Sequence, residues 1–91
     1  MLTEGEIVDG KYIIISVLGR GGMSTVYLSR HMTLGKERAI KEICREDCSC
    51  YEWLRQRLIR EANILKELDH PNLPEIIDII VKKDSLLIIM E

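Results

Sequence analysis

The chain has 91 residues, of which 46% are hydrophobic, and this length fits one small globular domain with a modest core. Its formal net charge is −2 with interspersed signs, which excludes the basic surface that nucleic-acid binding needs, and no apolar run approaches the roughly 18 residues that span a bilayer. The acidic start lacks the apolar run of a signal peptide, which predicts a cytoplasmic protein.

Five strands and one helix are predicted in chain order. Lys11–Gly19 is rich in β-branched residues, and the alternating segment Ser24–Arg30 follows it, so the two predict a hairpin. Glu37–Ile43 alternates again, and helix formers then occupy residues 51–72 up to a proline stop. The last segment predicts two strands around a turn at Lys82–Ser85. The order β-β-β-α-β-β indicates an α+β fold with a five-stranded antiparallel sheet and one main helix.

Three cysteines, Cys44, Cys48 and Cys50, lie between the third strand and the helix. The count is odd and no histidine cluster lies nearby, so reduced thiols in a connector are favoured over a zinc site. The sequence therefore predicts no metal site.

Three glycines, Gly19, Gly21 and Gly22, fall within four residues of the predicted hairpin. A dinucleotide-binding fingerprint needs a helix after its glycines, and here a strand follows, although Glu42 lies about 20 residues further on, where that fingerprint has an acid. In a hairpin, the same glycines let bare backbone cover a ligand and offer N–H groups to phosphate oxygens. An ordinary glycine-rich turn is the alternative that the glycines alone leave open.

A lysine on the third strand and a glutamate on the helix both occupy apolar faces. Alternation places Ala39, Lys41 and Ile43 on one side of a half-buried strand, where an ammonium group needs a partner. At about 100° per residue, Glu61 falls inside the leucine stripe of the helix, where a carboxylate is costly unless it is paired. We therefore expect Glu61 to pair with Lys41; a splayed helix edge that lets Glu61 reach water is the alternative.

These features together resemble the N-terminal lobe of a protein kinase, most closely that of the eukaryotic-like Ser/Thr kinases of bacteria. The family motif G-x-G-x-x-G-x-V corresponds to Gly19–Val26, V-A-I-K to Arg38–Lys41, and the helix with the paired glutamate to Arg60–Leu73. Ser24 stands where the family has its third glycine, which puts in doubt how closely the loop tip approaches the phosphates.

The resemblance implies a role for each matching residue. Lys41 would bind the α and β phosphates of ATP while Glu61 holds it, and these two are the predicted catalytic residues. Apolar side chains would cover adenine, and the last residue would begin the hinge, whose carbonyl accepts a hydrogen bond from adenine. The predicted ATP-binding set is Leu18, Gly19, Arg20, Gly21, Gly22, Met23, Ser24, Val26, Ala39, Lys41, Met90 and Glu91.

The same resemblance implies that parts of the catalytic machinery lie elsewhere. The family's H-R-D-x-x-x-x-N and D-F-G segments, which carry the catalytic base and a Mg²⁺ ligand, have no match in the 91 residues. We therefore expect a lead-in at residues 1–10 and a kinase lobe at 11–91, truncated at the hinge and inactive alone. The parent would use ATP with Mg²⁺ and bind its protein substrate through the missing lobe.

Further expectations concern the alternative function, binding, self-association and location. A noncatalytic, pseudokinase-type interaction module is the alternative to an active kinase. The chain alone is expected to bind nucleotide weakly and to self-associate through apolar surface that the second lobe would cover. The kinase domain is expected in the cytoplasm, with or without a membrane anchor elsewhere in the parent.

Overall fold

The computed structural model describes residues 2–22, 24–47, 49–57, 60 and 76–91. Within these residues, six strands form one antiparallel sheet in the spatial order β1-β2-β3-β4-β6-β5. The strands are β1 (Ile7–Val8), β2 (Tyr12–Arg20), β3 (Ser24–His31), β4 (Glu37–Cys44), β5 (Ile76–Val81) and β6 (Ser85–Met90). A 3₁₀ turn covers Arg45–Asp47, and residues 51–57 and 60 are helical.

This architecture confirms the predicted α+β fold. The five predicted strands correspond to β2 through β6, and the sixth strand, β1, was not predicted. The predicted helix over residues 51–72 is confirmed at 51–57 and 60, and the rest of it lies outside the described residues.

The unpredicted strand follows from a tight Asp-Gly turn. Asp9 and Gly10 both have positive φ, 52° and 64°, and the Lys11 N–H donates to the Val8 carbonyl at 3.0 Å. Asp-Gly is among the strongest short hairpin signals because both of its residues tolerate positive φ. Val8 pairs with Tyr12 across this turn, which adds β1 to the edge of the sheet.

Residues 2–6, which we call the strap, precede β1 and lie against the sheet. The Gly5 N–H donates to the Ile14 carbonyl at 2.8 Å, and the Leu2 side chain is only 6% exposed. The strap therefore shares the core of the sheet, and the division of the chain at residue 10 stays a prediction.

The two faces of the sheet bury different clusters. Adjacent β6 residues belong to opposite clusters because side chains alternate along a strand. The strap face carries Leu2, Val8, Tyr12, Ile14, Tyr27, Ile40, Leu87 and Ile89. The helix face carries Ile43 and Leu86 packed with Tyr51 of the helix, and with the half-buried Leu54 and Ile88. Burial of such side chains stabilises the sheet by roughly 1.5–3 kcal/mol each.

Candidate functional site

The glycine-rich hairpin joins β2 to β3. It is closed by the Gly21 N–H, which donates to the Ser24 carbonyl at 2.7 Å, and Arg20 pairs with Thr25 just before the turn. Met23, at the tip, lies outside the described residues.

The conformation of this hairpin does not itself require glycine. The glycines with positive φ are Gly5, Gly10 and Gly35, so none of the hairpin glycines has a backbone that excludes a side chain. A Cβ at Gly19 or Gly22 would meet no atom of the described chain within 4 Å, and one at Gly21 would make only an ordinary 3.7 Å contact. A requirement for small residues here must therefore come from something outside the hairpin, such as a ligand under its backbone.

Strand register places the lysine and the predicted adenine-contacting residues on the helix face. In antiparallel strands, residues directly opposite each other share a face. Lys41 of β4 is flanked by Val26 of β3 on one side and by Ile88 of β6 on the other. Two residues before Lys41 on the same face, Ala39 lies between Leu28 of β3 and Met90 of β6. Ala39 is the smallest side chain of this group, so it leaves the most room for a flat ring.

Lys41 is half-buried between apolar neighbours, and no ion pair joins it to a carboxylate among the described residues. Its methylene stem can cover apolar surface while its ammonium group reaches the open side of the sheet. The predicted partner, Glu61, lies outside the described residues, so their pairing stays a prediction.

Two large apolar side chains are exposed where β2 approaches the hairpin. Leu18 is 58% exposed and Val17 is 52% exposed. The register with β3 shifts between Val17 and Gly19, so Leu18 lies within the irregularity and is not paired with a residue of β3. Glu91, directly after Met90, is also exposed.

The strap face contains a buried carboxylate, that of Glu42, whose structural role the sequence analysis did not predict. Glu42 is 5% exposed, and the Tyr27 hydroxyl donates to its Oε1 at 2.9 Å. The same hydroxyl accepts from the Leu2 N–H at 3.2 Å, so Tyr27 links the strap to β4. Burial and the hydrogen bond to Glu42 raise the pKa of Tyr27 above 10.0. Alternation could have found this group, because it places Glu42 opposite to Lys41.

Arg45 connects three elements at the start of the helix. Its Nη2 lies 2.6 Å from Glu52 Oε1, and its Nε lies 3.3 Å from Asp84 Oδ1 in the β5–β6 turn. Its guanidinium carbon is 4.9 Å from the ring centroid of the buried Tyr51, and Nη2 also donates to the Lys83 carbonyl. These contacts fix the first helical turn against the sheet.

Two cavities share Glu42 in their linings, and the smaller one borders the glycine-rich hairpin. The smaller, about 190 Å³, has the glycine backbone on one wall and Glu42 and Glu46 on another. The larger, about 420 Å³, is also lined by Glu42 and Glu46, and by Asp84. Each lining also contains an arginine, Arg20 in the smaller cavity and Arg45 in the larger, so both cavities combine acidic and basic side chains. Among the described residues, no group of three or more His, Cys, Asp or Glu side chains is placed to hold a metal ion.

An antiparallel sheet with a glycine-rich hairpin, and with a strand lysine on the face that packs against one helix, defines the N-terminal lobe of protein kinases. The protein kinase domain model matches residues 12–91. The chain therefore belongs to the protein kinase domain family.

Two of the relatives that the chain is similar to are serine/threonine-protein kinases of bacteria. The chain is 39% identical over 87 residues to the serine/threonine-protein kinase PrkC of Bacillus subtilis, covering 96% of this chain and 13% of PrkC. It is 33% identical over 91 residues to pkn2 of Myxococcus xanthus, covering 100% of this chain and 11% of that protein. The crystal structure of the Mycobacterium tuberculosis PknI kinase domain matches with a TM-score of 0.83 at 27% identity, over 100% of this chain and 36% of that one.

The chain thus spans a small part of the length of these relatives. No helix in the described part of the chain is long and apolar enough to cross a membrane.

Proposed function

We propose that this chain is the nucleotide-binding lobe of an ATP-dependent protein kinase that phosphorylates serine and threonine. The observation that carries the proposal is the strand register: it sets Lys41 between Val26 and Ile88, beside Ala39, on the face that adjoins the glycine-rich hairpin. An ammonium group at this position suits the α and β phosphates of ATP.

The residues of the helix face fit the parts of ATP. The glycine-rich hairpin would let phosphates approach its backbone closely, because no side chain projects from Gly19, Gly21 or Gly22. Leu18, Val26 and Ala39 would cover adenine, with Met90 at the rear of the ring and the Glu91 backbone beside its edge. Bound ATP supplies the phosphoryl group, and Mg²⁺ neutralises charge on its phosphates.

The residues of this chain bind and orient the nucleotide. Lys41 would hold the α and β phosphates in one position, and Glu61 would hold the ammonium group in turn. The base that accepts the substrate proton and the ligands for Mg²⁺ would come from outside this chain, as would the surface that binds the protein substrate. The 91 residues alone would therefore be inactive, and the complete kinase domain would act in the cytoplasm.

The test uses the full-length product of the gene that encodes this chain. The enzyme is incubated with γ-labelled ATP, Mg²⁺ and a protein substrate, and the phosphorylated residues are identified. We expect label on serine and threonine, and a Lys41→Met variant with activity lowered by at least about 100-fold, because it loses charge stabilisation at the phosphates. Lys36→Met, which removes an exposed lysine from the β3–β4 turn, is the matched control.

Two results would contradict the proposal in different ways. If Lys41→Met and Lys36→Met had equal activity, Lys41 would not contribute to phosphate binding or transfer. Saturable ATP binding without transfer to any protein would support the pseudokinase alternative, in which the lobe serves as an interaction module.

A further inference from the structure

A hydrogen bond on the strap face crosses behind Lys41. In the ladder that joins β3 to β4, Lys41 is paired with Val26, and the rungs on either side of this pair contain Tyr27 and Glu42. The Tyr27 hydroxyl donates to Glu42 Oε1 at 2.9 Å. Because neighbouring residues of a strand point to opposite faces, this bond spans the Val26–Lys41 pair diagonally on the face that Lys41 does not occupy.

The direction of the Tyr27 hydroxyl is fixed by its two partners. Tyr27 is fully buried, and its hydroxyl oxygen accepts from the Leu2 N–H at 3.2 Å. A phenol has a single proton, and here that proton is directed to the carboxylate of Glu42. A hydrogen bond to a carboxylate is short and strong, and burial strengthens it further. The contact therefore ties β3 to β4 at one defined offset.

The neighbours of Glu42 on β6 are apolar. Its register partner Leu87 is fully buried, and so is Ile89 two residues further along the strand. An apolar side chain at position 42 would avoid the cost of desolvating a carboxylate, and replacing both members of a buried polar pair by apolar groups is often neutral or stabilising. The defined geometry that the Tyr27–Glu42 bond imposes thus explains the carboxylate better than stability does.

We propose that Tyr27 and Glu42 are positioning residues for Lys41, because their hydrogen bond fixes the twist of β4 against β3 and so sets where the lysine ammonium group lies. Neighbouring strands adopt twists of about 10–35° relative to each other, and backbone hydrogen bonds tolerate this range. The ammonium group is at the end of a long side chain, so a small change of twist at the Lys41 backbone displaces it further. This inference rests on the proposed role of Lys41 in holding the phosphates of ATP.

Ser29 offers a matched control on the same ladder. It is fully buried, and its hydroxyl donates to the Arg38 carbonyl at 2.9 Å. Ser29 and Arg38 form a rung of their own, three positions along the ladder from the rung of Lys41. Ser29→Ala and Tyr27→Phe each remove a buried hydroxyl that ties β3 to β4, but Ser29→Ala leaves the bond behind Lys41 in place.

The experiment measures kcat and the KM for ATP in the full-length kinase that contains this chain, at a temperature at which circular dichroism shows each variant to be folded. Tyr27→Phe should lower kcat by at least about tenfold, because the phosphates are misaligned, and should change KM by less than about threefold, because the proposed adenine contacts are kept. Ser29→Ala should change either constant by less than about twofold. Glu42→Gln keeps an acceptor oxygen for the Tyr27 hydroxyl and should retain at least about half of the kcat.

A second background shows whether Tyr27→Phe acts through Lys41. If it does, adding Tyr27→Phe to Lys41→Met should lower the residual activity no further, because the group that is positioned has already been removed. Tyr27→Phe/Glu42→Leu, in which both partners are apolar, should show the low kcat of Tyr27→Phe, and it serves the same test if Tyr27→Phe does not fold.

Two results would overturn the positioning of Lys41. Equal kcat in Tyr27→Phe and Ser29→Ala would make the Tyr27–Glu42 bond purely structural. An undiminished further loss when Tyr27→Phe is added to Lys41→Met would mean that the bond does not act through the lysine. Unchanged activity in Lys41→Met itself would instead contradict the proposed function, so the failures of the two proposals are distinguishable.

Discussion

Removal of the Tyr27 hydroxyl tests how the strap is held to the sheet. In Tyr27→Phe, the buried Glu42 carboxylate loses a donor at 2.9 Å and the Leu2 N–H loses an acceptor at 3.2 Å. A hydrogen bond to a charged group contributes about 1.5–3 kcal/mol, and leaving a buried carboxylate without its donor adds desolvation cost. We therefore expect the free energy of unfolding to fall by about 2–3 kcal/mol.

Tyr51→Phe is the matched control for this experiment. The Tyr51 hydroxyl is also buried, but it has no hydrogen-bond partner among the described residues. Its removal should not lower the free energy of unfolding, because no hydrogen bond is lost and an unsatisfied buried group disappears. Urea unfolding followed by circular dichroism, at equal protein concentration, compares the two variants.

The double variant Tyr27→Phe/Glu42→Leu separates the hydrogen bond from the buried charge. Replacing both partners by apolar groups should recover part of the stability that Tyr27→Phe alone loses. If Tyr27→Phe and Tyr51→Phe had the same small effect, the Tyr27–Glu42 contact would not stabilise the fold, and the reasoning would be wrong.

The remaining predictions concern pH, the helix start, association and nucleotide binding. Burial raises the pKa of Tyr27 and of Tyr51 above 10.0. The contribution of these two groups to the free energy of unfolding should therefore be fully present below about pH 10 and be lost as pH rises through the raised pKa values. Urea midpoints should show a smaller fall over this range in the double phenylalanine variant. Arg45→Met should lower stability by about 1 kcal/mol and increase hydrogen exchange at residues 51–57, an effect that added salt reduces. At tens of micromolar and with reductant present, sedimentation should show self-association of the chain through the exposed side chains near Leu18; a 10.5 kDa monomer would contradict this expectation. Calorimetry with an ATP analogue and Mg²⁺ should detect no micromolar binding to the 91 residues, because half of the cleft leaves one face of adenine in water.

Strands β3 and β4 could be predicted because their side chains alternate with a period of two. That pattern placed Ala39 and Lys41 on one side of β4, and the register with β3 sets them opposite Leu28 and Val26. Strand β1 was missed, although Asp9–Gly10 carries a hairpin signal, because two residues are too few to show alternation.

The role of Glu42 shows what periodicity could not supply. Alternation tells which residues share a face, but not what covers that face. Tyr27 links the strap to Glu42 through two hydrogen bonds, and these join residues that are 25 and 15 positions apart in sequence. Helical spacing predicts that Glu61 lies in the leucine stripe of the helix. Glu61 is outside the described residues, so its pairing with Lys41 stays a prediction.

The neighbouring residues Lys41 and Glu42 carry opposite charges to opposite faces of β4, and this arrangement penalises misalignment of the sheet. A shift of β4 by one residue would bring Glu42 onto the helix face and turn Lys41 toward the apolar surroundings of Tyr27. An unpaired ammonium group there would cost several kcal/mol, and the carboxylate would lose its buried donor. Lys41 and Glu42 therefore favour the correct register of β4 during folding, because a shift by one residue raises the free energy on both faces of the sheet.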